Sequence, residues 1–411
     1  MAEQPHIAII GAGPIGLEAT LYATQRGYRV TLFERGGVAS HVRHWGHVRL
    51  FSPFGMNSSE WGRAALAGSG VELPDADALL TGREFIDAYL QPLSELPAVR
   101  EALEPDVDVL KVSRVHLTKG DLIGSPERGR DPFLLLVNDR VSGERTELAD
   151  IVLDCSGVYR HHNWLGKGGI PCPGESDREY EIEYFLTRRG IQTGDQNYLE
   201  KYGGKWTLVV GGGYSAATSV AELAELANRV PGTKIVWVTR HDATTPIRPI
   251  EDDSLPERAR LTAVANELAL DESSPVTWIP SSTVHRLNRP ETGFGFEAML
   301  DSPPGRPSKV NVDEIIASVG YRPDRSLYEE LQVHECYATQ GPMKLAAKLL
   351  GETSADCLDQ TSHGANVLRN PEPNFFILGA KSYGRNSNFL IRAGLQQIVD
   401  VFTLIERETT D

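Results

Sequence analysis

Apolar residues run without interruption from Ile7 to Ile10, break at Gly11, and resume at helical spacing from Pro14 to about Arg26. An unbroken run of strand length that ends in glycine predicts a strand buried on both faces; the three-and-four spacing predicts an amphipathic helix. Gly27 ends that helix, and "YRVTLFE" predicts a second strand closing at Glu34. The same succession returns later in the chain. Trp206 to Val210 reads as a strand, Gly211-Gly212-Gly213 as a turn, the alanine-rich stretch to about Asn228 as a helix, and "KIVWVTR" as the next strand. Two strand–glycine–helix–strand units predict an α/β fold with two Rossmann-like, three-layer domains.

Each glycine loop has the mechanics of a pyrophosphate cradle. In Gly11-Ala12-Gly13-Pro14-Ile15-Gly16, Gly11 allows the tight turn and Gly13 lets backbone approach the phosphates. Gly16 lets helix and strand pack closely. The helix N-terminus then presents free N–H groups and a partial positive charge to an anion. Glu34, followed by Arg35, ends the second strand, where a carboxylate can accept from ribose hydroxyls. The second loop reads Gly211, Gly213, Tyr214, Ser215, with Ala216 at the third small position. Its second strand ends in Thr239-Arg240-His241 instead of an acid. Arginine suits a ribose 2′-phosphate, so Arg240, supported by Arg248, predicts NADPH in preference to NADH. Two cradles of different ribose chemistry imply two dinucleotides and an electron relay. The expected receiver, held at the first cradle, is a flavin, FAD.

Composition narrows the partners. The 411 residues carry a formal net charge of −15, which argues against nucleic acid, since phosphate backbones need a basic face. Cysteines stand singly at 155, 172, 336 and 357, in no C-x-x-C or zinc-ligand spacing. A reducing, cytoplasmic setting is therefore expected, with no metal, no signal peptide and no membrane span. The oligomeric state stays open, a homodimer included.

Taken together, these motifs resemble the two-dinucleotide-binding-domain flavoproteins, the group of thioredoxin reductases, flavin-containing monooxygenases and related pyridine-nucleotide oxidoreductases. The likeness rests on "GAGPIGLE", on "ADIVLDCSGVY" with Gly157, on "GGIPCPGE", on "VDEIIASVGYRPD" with Gly320, and on "NFFILGAKSYGRNSNFLIRAGLQQIVDVF" with Gly379 and Ala380. It implies a discontinuous FAD domain, about 1–160 plus 326–411, with an NADPH domain of about 161–325 inserted. It also exposes departures. The reductase branch has Gly-Asp where this chain has Gly379-Ala380, leaving Lys381, Ser382 or a backbone N–H to meet the ribityl chain. The redox cysteine pair of the disulfide reductases is absent. So is the F-x-G-x-x-x-H fingerprint of many monooxygenases from "LTRRGIQTGDQNYLEKYGGKW". Cys155 reads as a small core residue in an apolar strand.

Three stretches are candidates for chemistry. In this family the segment after the acid wraps toward the flavin ring; here it is "RGGVASHVRHWGHVRLFSPFGMNSSEWG". Trp45 and Phe51 would shield the ring, while Arg43, His44, His47 and Arg49 would stabilise an anionic substrate or reduced flavin. His161 and His162 fall at the expected crossover. In the C-terminal stretch Asn388 is placed as N-cap of the last helix, ahead of Phe389, with Tyr383 and Arg385 entering the substrate space. The acid run Glu251 to Asp253 reads as a solvated loop. The function expected is hydride transfer from NADPH to flavin N5 and on to oxygen and a small molecule, a monooxygenase. The alternatives are a reductase with a non-disulfide acceptor and a regulatory protein that only binds its dinucleotides.

Overall fold

A computed structural model of the chain describes residues 4–186, 196–291, 293–351 and 364–408. The chain divides into two compact units. The first comprises the chain to Arg43, Ser52–His161, and the chain from Tyr321; the second comprises His44–Phe51 and His162–Gly320. Cys357 and residues 187–195, in the stretch before the second glycine loop, lie outside the described residues.

The first unit is built on a parallel sheet. Its strands are β1 (His6–Ile10), β2 (Arg29–Glu34), β3 (Leu103–Pro105), β7 (Ile151–Asp154) and β15 (Phe375–Ile377), ordered β15-β7-β1-β2-β3. Ala8, Ile10, Phe33, Val152 and Phe375 on one face pack against an antiparallel sheet of β4 (Val107–Arg114), β5 (Phe133–Asp139) and β6 (Gly143–Ala149). Helices α1 (Pro14–Gln25) and α4 (Ile391–Glu408) pack together, with Tyr22 against Phe402 at 5.1 Å between ring centroids. Both faces of β1 are covered, which is why its apolar run does not alternate.

The second unit repeats the plan. A parallel sheet runs β10 (Val276–Ile279), β9 (Lys234–Val238), β8 (Trp206–Val210), β14 (Glu314–Ala317). Val209, Ile235 and Trp237 face α2 (Tyr214–Arg229) and α3 (Pro256–Leu270). Leu208, Val210, Val236 and Val238 point the other way, onto an antiparallel sheet of β11 (Thr283–Asn288), β12 (Phe296–Asp301) and β13 (Lys309–Val312). Successive side chains on a strand alternate between faces, so a strand clad on both sides must be apolar throughout. Among the described residues no helix is long and apolar enough to cross a membrane.

Three expectations are corrected. β7 stops at Asp154, so Cys155 lies past the strand rather than inside it. The last helix begins at Ile391, two residues too late for Asn388 to be its N-cap; the Asn388 N–H donates instead to Asn386 Oδ1 at 2.9 Å. Asp253 is not solvated: its side chain is buried and takes Arg258 at 2.7 Å, because the carboxylate also receives the Leu255 N–H at the start of α3. Cys172, in "GGIPCPGE", is buried in the core of the second unit.

Candidate functional site

The first unit contains a cleft whose floor is the turn after β1. Gly11 has φ +96°, and a Cβ there would press on Cys155 O and Ser156 Cα at 3.1 Å. A Cβ on Gly16 would lie 1.9 Å from Gly11 O, so α1 sits directly on the loop backbone. Gly13 is different: nothing lies within 4 Å of its Cβ position. It is the N-cap of α1, no side chain caps the helix, and its first turn holds no acid. The opening N–H groups of α1 thus face an open approach with their dipole uncompensated, the arrangement that takes a phosphate.

Glu34 closes one side. Its Oε2 accepts the Ala12 N–H and its Oε1 the Gly36 N–H, each at 2.8 Å. Burial pushes this carboxyl above its usual range, opposed by those two amides. The acid read as a ribose ligand also staples the turns after β1 and β2. Pro14, Ile15, Arg35, Gly157, Gly379, Ala380 and Phe389 line the same cleft, and Arg160 stands 3.6 Å from Asp108 on its wall.

The C-terminal wall answers the missing aspartate in an unexpected way. Lys381 is fully buried, its Nζ 2.6 Å from Asp154 Oδ2 and 3.0 Å from Ser156 Oγ. Ser382 turns inward to Gly379 O and receives Gln397 Nε2. Gln397 Oε1 in turn takes the Gly379 N–H at 2.8 Å. Neither side chain reproduces a free carboxylate; the pair Asp154–Lys381 pins the two walls. An acid ending an apolar run was the signal available in sequence, but its lysine partner was not. Cys155 lines the cleft, and burial pushes its thiol far up. Burial likewise lifts Cys172 to about 12.

The other candidate residues scatter. Tyr383 is buried against Phe389, with 5.3 Å between ring centroids, and Arg385 is exposed and donates to Gln340 Oε1 at 2.8 Å; neither lines the cleft, and nor does Asn388. His161 stands 3.2 Å from Asp324, a cleft residue, within the first unit. His162 belongs to the second, stacked on Tyr184 at 3.6 Å and paired with Glu179 at 3.0 Å. Trp45, His47, Arg49 and Phe51 do not line the first cleft at all; their segment packs within the second unit.

The second cradle follows the same logic. A Cβ on Gly211 would lie 2.2 Å from Ser318 O, while Gly213 is open and N-caps α2 with no side-chain cap. Trp237 Nε1 donates to Gly211 O at 2.8 Å and locks the turn. Ala216 is fully buried, and the Ser219 hydroxyl donates back to the Ser215 carbonyl oxygen within the helix. Arg240 and Arg248 are both exposed beyond β9, and Gly320 turns at φ +82° past β14. The donor sets fit a dinucleotide at each loop. Among the described residues no cluster of His, Cys, Asp and Glu is arranged for a metal.

Residues 6–40 match the family model for pyridine nucleotide-disulphide oxidoreductases. Bacillithiol disulfide reductase from Bacillus cereus is similar over 98% of this chain and 99% of its own, at 16% identity and TM-score 0.69. The ornithine N-hydroxylase of Kutzneria sp. 744 is similar over 99% and 100%, at 15% and 0.62. Thioredoxin reductase from T. acidophilum is similar over 100% of both chains, at 14% and 0.59. No curated protein matches the sequence. The chain therefore has the two-dinucleotide-binding-domain flavoprotein fold. The family-model match is confined to the stretch around the first glycine loop, and the described cysteines are all free. Its structural neighbours include both monooxygenases and disulfide reductases.

Proposed function

We propose that the protein is an FAD-dependent NADPH oxidoreductase that passes electrons to its acceptor without a protein disulfide, as a monooxygenase of a small molecule. One observation carries this reading. The thiol lining the first cleft, Cys155, has no cysteine partner among the described residues, and its burial favours the protonated, unreactive form. The opening amides of α1 would hold the FAD pyrophosphate and Glu34 its adenosine ribose, with Gly157, Gly379 and Phe389 along the remainder. The amides of α2 would hold the NADPH pyrophosphate and Arg240 its 2′-phosphate. Bound FAD supplies a carrier that takes two electrons from reduced nicotinamide and releases them singly or paired. The fold's likeness to ornithine and cadaverine hydroxylating enzymes supports oxygen as co-substrate; its likeness to bacillithiol disulfide reductase favours a second reading, direct reduction of a small acceptor.

The deciding experiment mixes FAD-loaded protein with NADPH without air, then screens small amines and other nucleophiles in air. Bleaching followed by substrate-stimulated NADPH consumption matched by oxygenated product supports the monooxygenase. Rapid turnover with quinones or small disulfides and no oxygenated product overturns it in favour of the reductase. Retained colour with tight NADPH binding leaves a protein that only binds its dinucleotides.

The ribose preference is tested separately. Arg240→Ala is expected to weaken NADPH binding about tenfold, the value of one charge-assisted hydrogen bond at an exposed site, and to leave NADH unchanged. Equal weakening of both nucleotides would remove Arg240 from the 2′-phosphate site.

A further inference from the structure

Residues 44–51 leave the first unit after Arg43 and rejoin it at Ser52; between those points they belong to the second unit. Two contacts set their course. The Phe51 ring packs edge-on against Tyr214, the first residue of α2, with centroids 5.2 Å apart. His47 Nε2 lies 3.3 Å from Glu222 Oε1, roughly two turns further along the same helix. Four residues of chain are long enough to cover that stretch. The strap is thus laid along α2, its aromatic end at the glycine loop and its histidine end fastened lower down.

The fit is close. Phe51 packs with the second unit's core, and the His47 side chain is only 5% exposed. The His47 Nδ1 is buried without a hydrogen-bond partner. The lining of the flavin cleft, by contrast, reaches only to Val42 on this stretch.

We infer that the strap is a working part of the nicotinamide-dinucleotide site. Phe51 is a positioning residue that sets the Tyr214 ring, and the contact between His47 and Glu222 holds the strap in place. Tyr214 follows directly on Gly213, whose side of the loop is open. Where that ring lies decides how much of the space over the loop a reduced nicotinamide dinucleotide can enter. This inference rests on the second cradle being the NADPH site. It moves His47 and Phe51 from the flavin to the electron donor.

The test compares two affinities in the full-length protein: FAD by reconstitution of the apoprotein, and NADP+ by calorimetry on the FAD-loaded form. Phe51→Ala is expected to weaken NADP+ about three- to tenfold, the worth of an aromatic pair, with FAD affinity within twofold of the unmodified protein. Phe51→Tyr, which keeps the ring, should restore NADP+ affinity. Glu222→Ala, which removes the acceptor facing His47 Nε2 and so releases the strap's other end, should weaken NADP+ in the same direction and serves if Phe51→Ala does not fold. Loss of FAD with NADP+ unchanged would return the segment to the flavin site. Unchanged affinity for both in Phe51→Ala, or in Glu222→Ala, would also overturn the inference. An unmodified protein that binds neither dinucleotide would instead sink the functional reading beneath it.

Discussion

Gly13→Asp is expected to abolish FAD binding in a chain that remains folded. Gly13 has φ −80° and ψ −175°, an extended conformation open to any residue, and a Cβ there meets nothing within 4 Å. Aspartate is a preferred N-cap, so the helix should gain a few tenths of a kcal/mol over glycine. Its carboxylate would occupy the amides left for pyrophosphate. Two like charges about 4 Å apart at an effective dielectric near 20 repel by about 4 kcal/mol, roughly a thousandfold in affinity. Gly213→Asp is the mirror experiment, because Gly213 is equally open and also N-caps its helix. It should eliminate NADPH binding and spare FAD. Flavin absorbance after reconstitution, calorimetry with NADP+ and thermal unfolding separate the outcomes. If Gly13→Asp keeps its flavin at normal affinity, the first loop is not the FAD cradle.

Breaking the buried pair of Asp154 and Lys381 should carry the largest effect on stability. Both side chains are at most 1% exposed, so neither can recover hydration when the other is removed. Lys381→Met leaves a carboxylate at the end of β7 with only Ser156 to bond it, Oδ1 taking the Ser156 hydroxyl at 2.6 Å. The expected cost is about 3–5 kcal/mol. For a unit of this size that lowers the melting temperature by about 10 °C. Removing both charges, as Asp154→Asn with Lys381→Met, should regain most of the loss, because the penalty comes from the unpaired charge rather than from the lost attraction. Since the pair joins the Cys155–Gly157 and Gly379–Lys381 walls, the single variant should also hold FAD less tightly. A single variant that melts within about 1 °C of the unmodified protein would show that the pair does not bind the walls together.

Much of this was legible before the structure. The glycine loops, their flanking strands and the helices at Pro14 and Tyr214 fall where hydrophobic spacing places them, to within a residue or two. The misreadings share a cause. Cys155 looked like core because apolar residues precede it, yet the strand ends where Asp154 meets Lys381. Asn388 had the right chemistry for a helix cap, but the Asn386 side chain holds its N–H in a turn. The Trp, Phe, His and Arg residues after Glu34 announced a packed segment. They carried no sign that Phe51 would meet Tyr214 rather than a flavin.

The sequence alone determined that there are two glycine loops, each between a buried strand and the start of a helix, because steric freedom at a glycine, the start of a helix and the two-sided burial of a strand are settled among residues close along the chain. Tertiary structure decided which charges share a buried pair, which thiol meets the cleft, and which unit receives the strap. Those outcomes depend on the desolvation and close packing of segments far apart in the chain, and a one-dimensional pattern records each partner's character without recording which partner it meets.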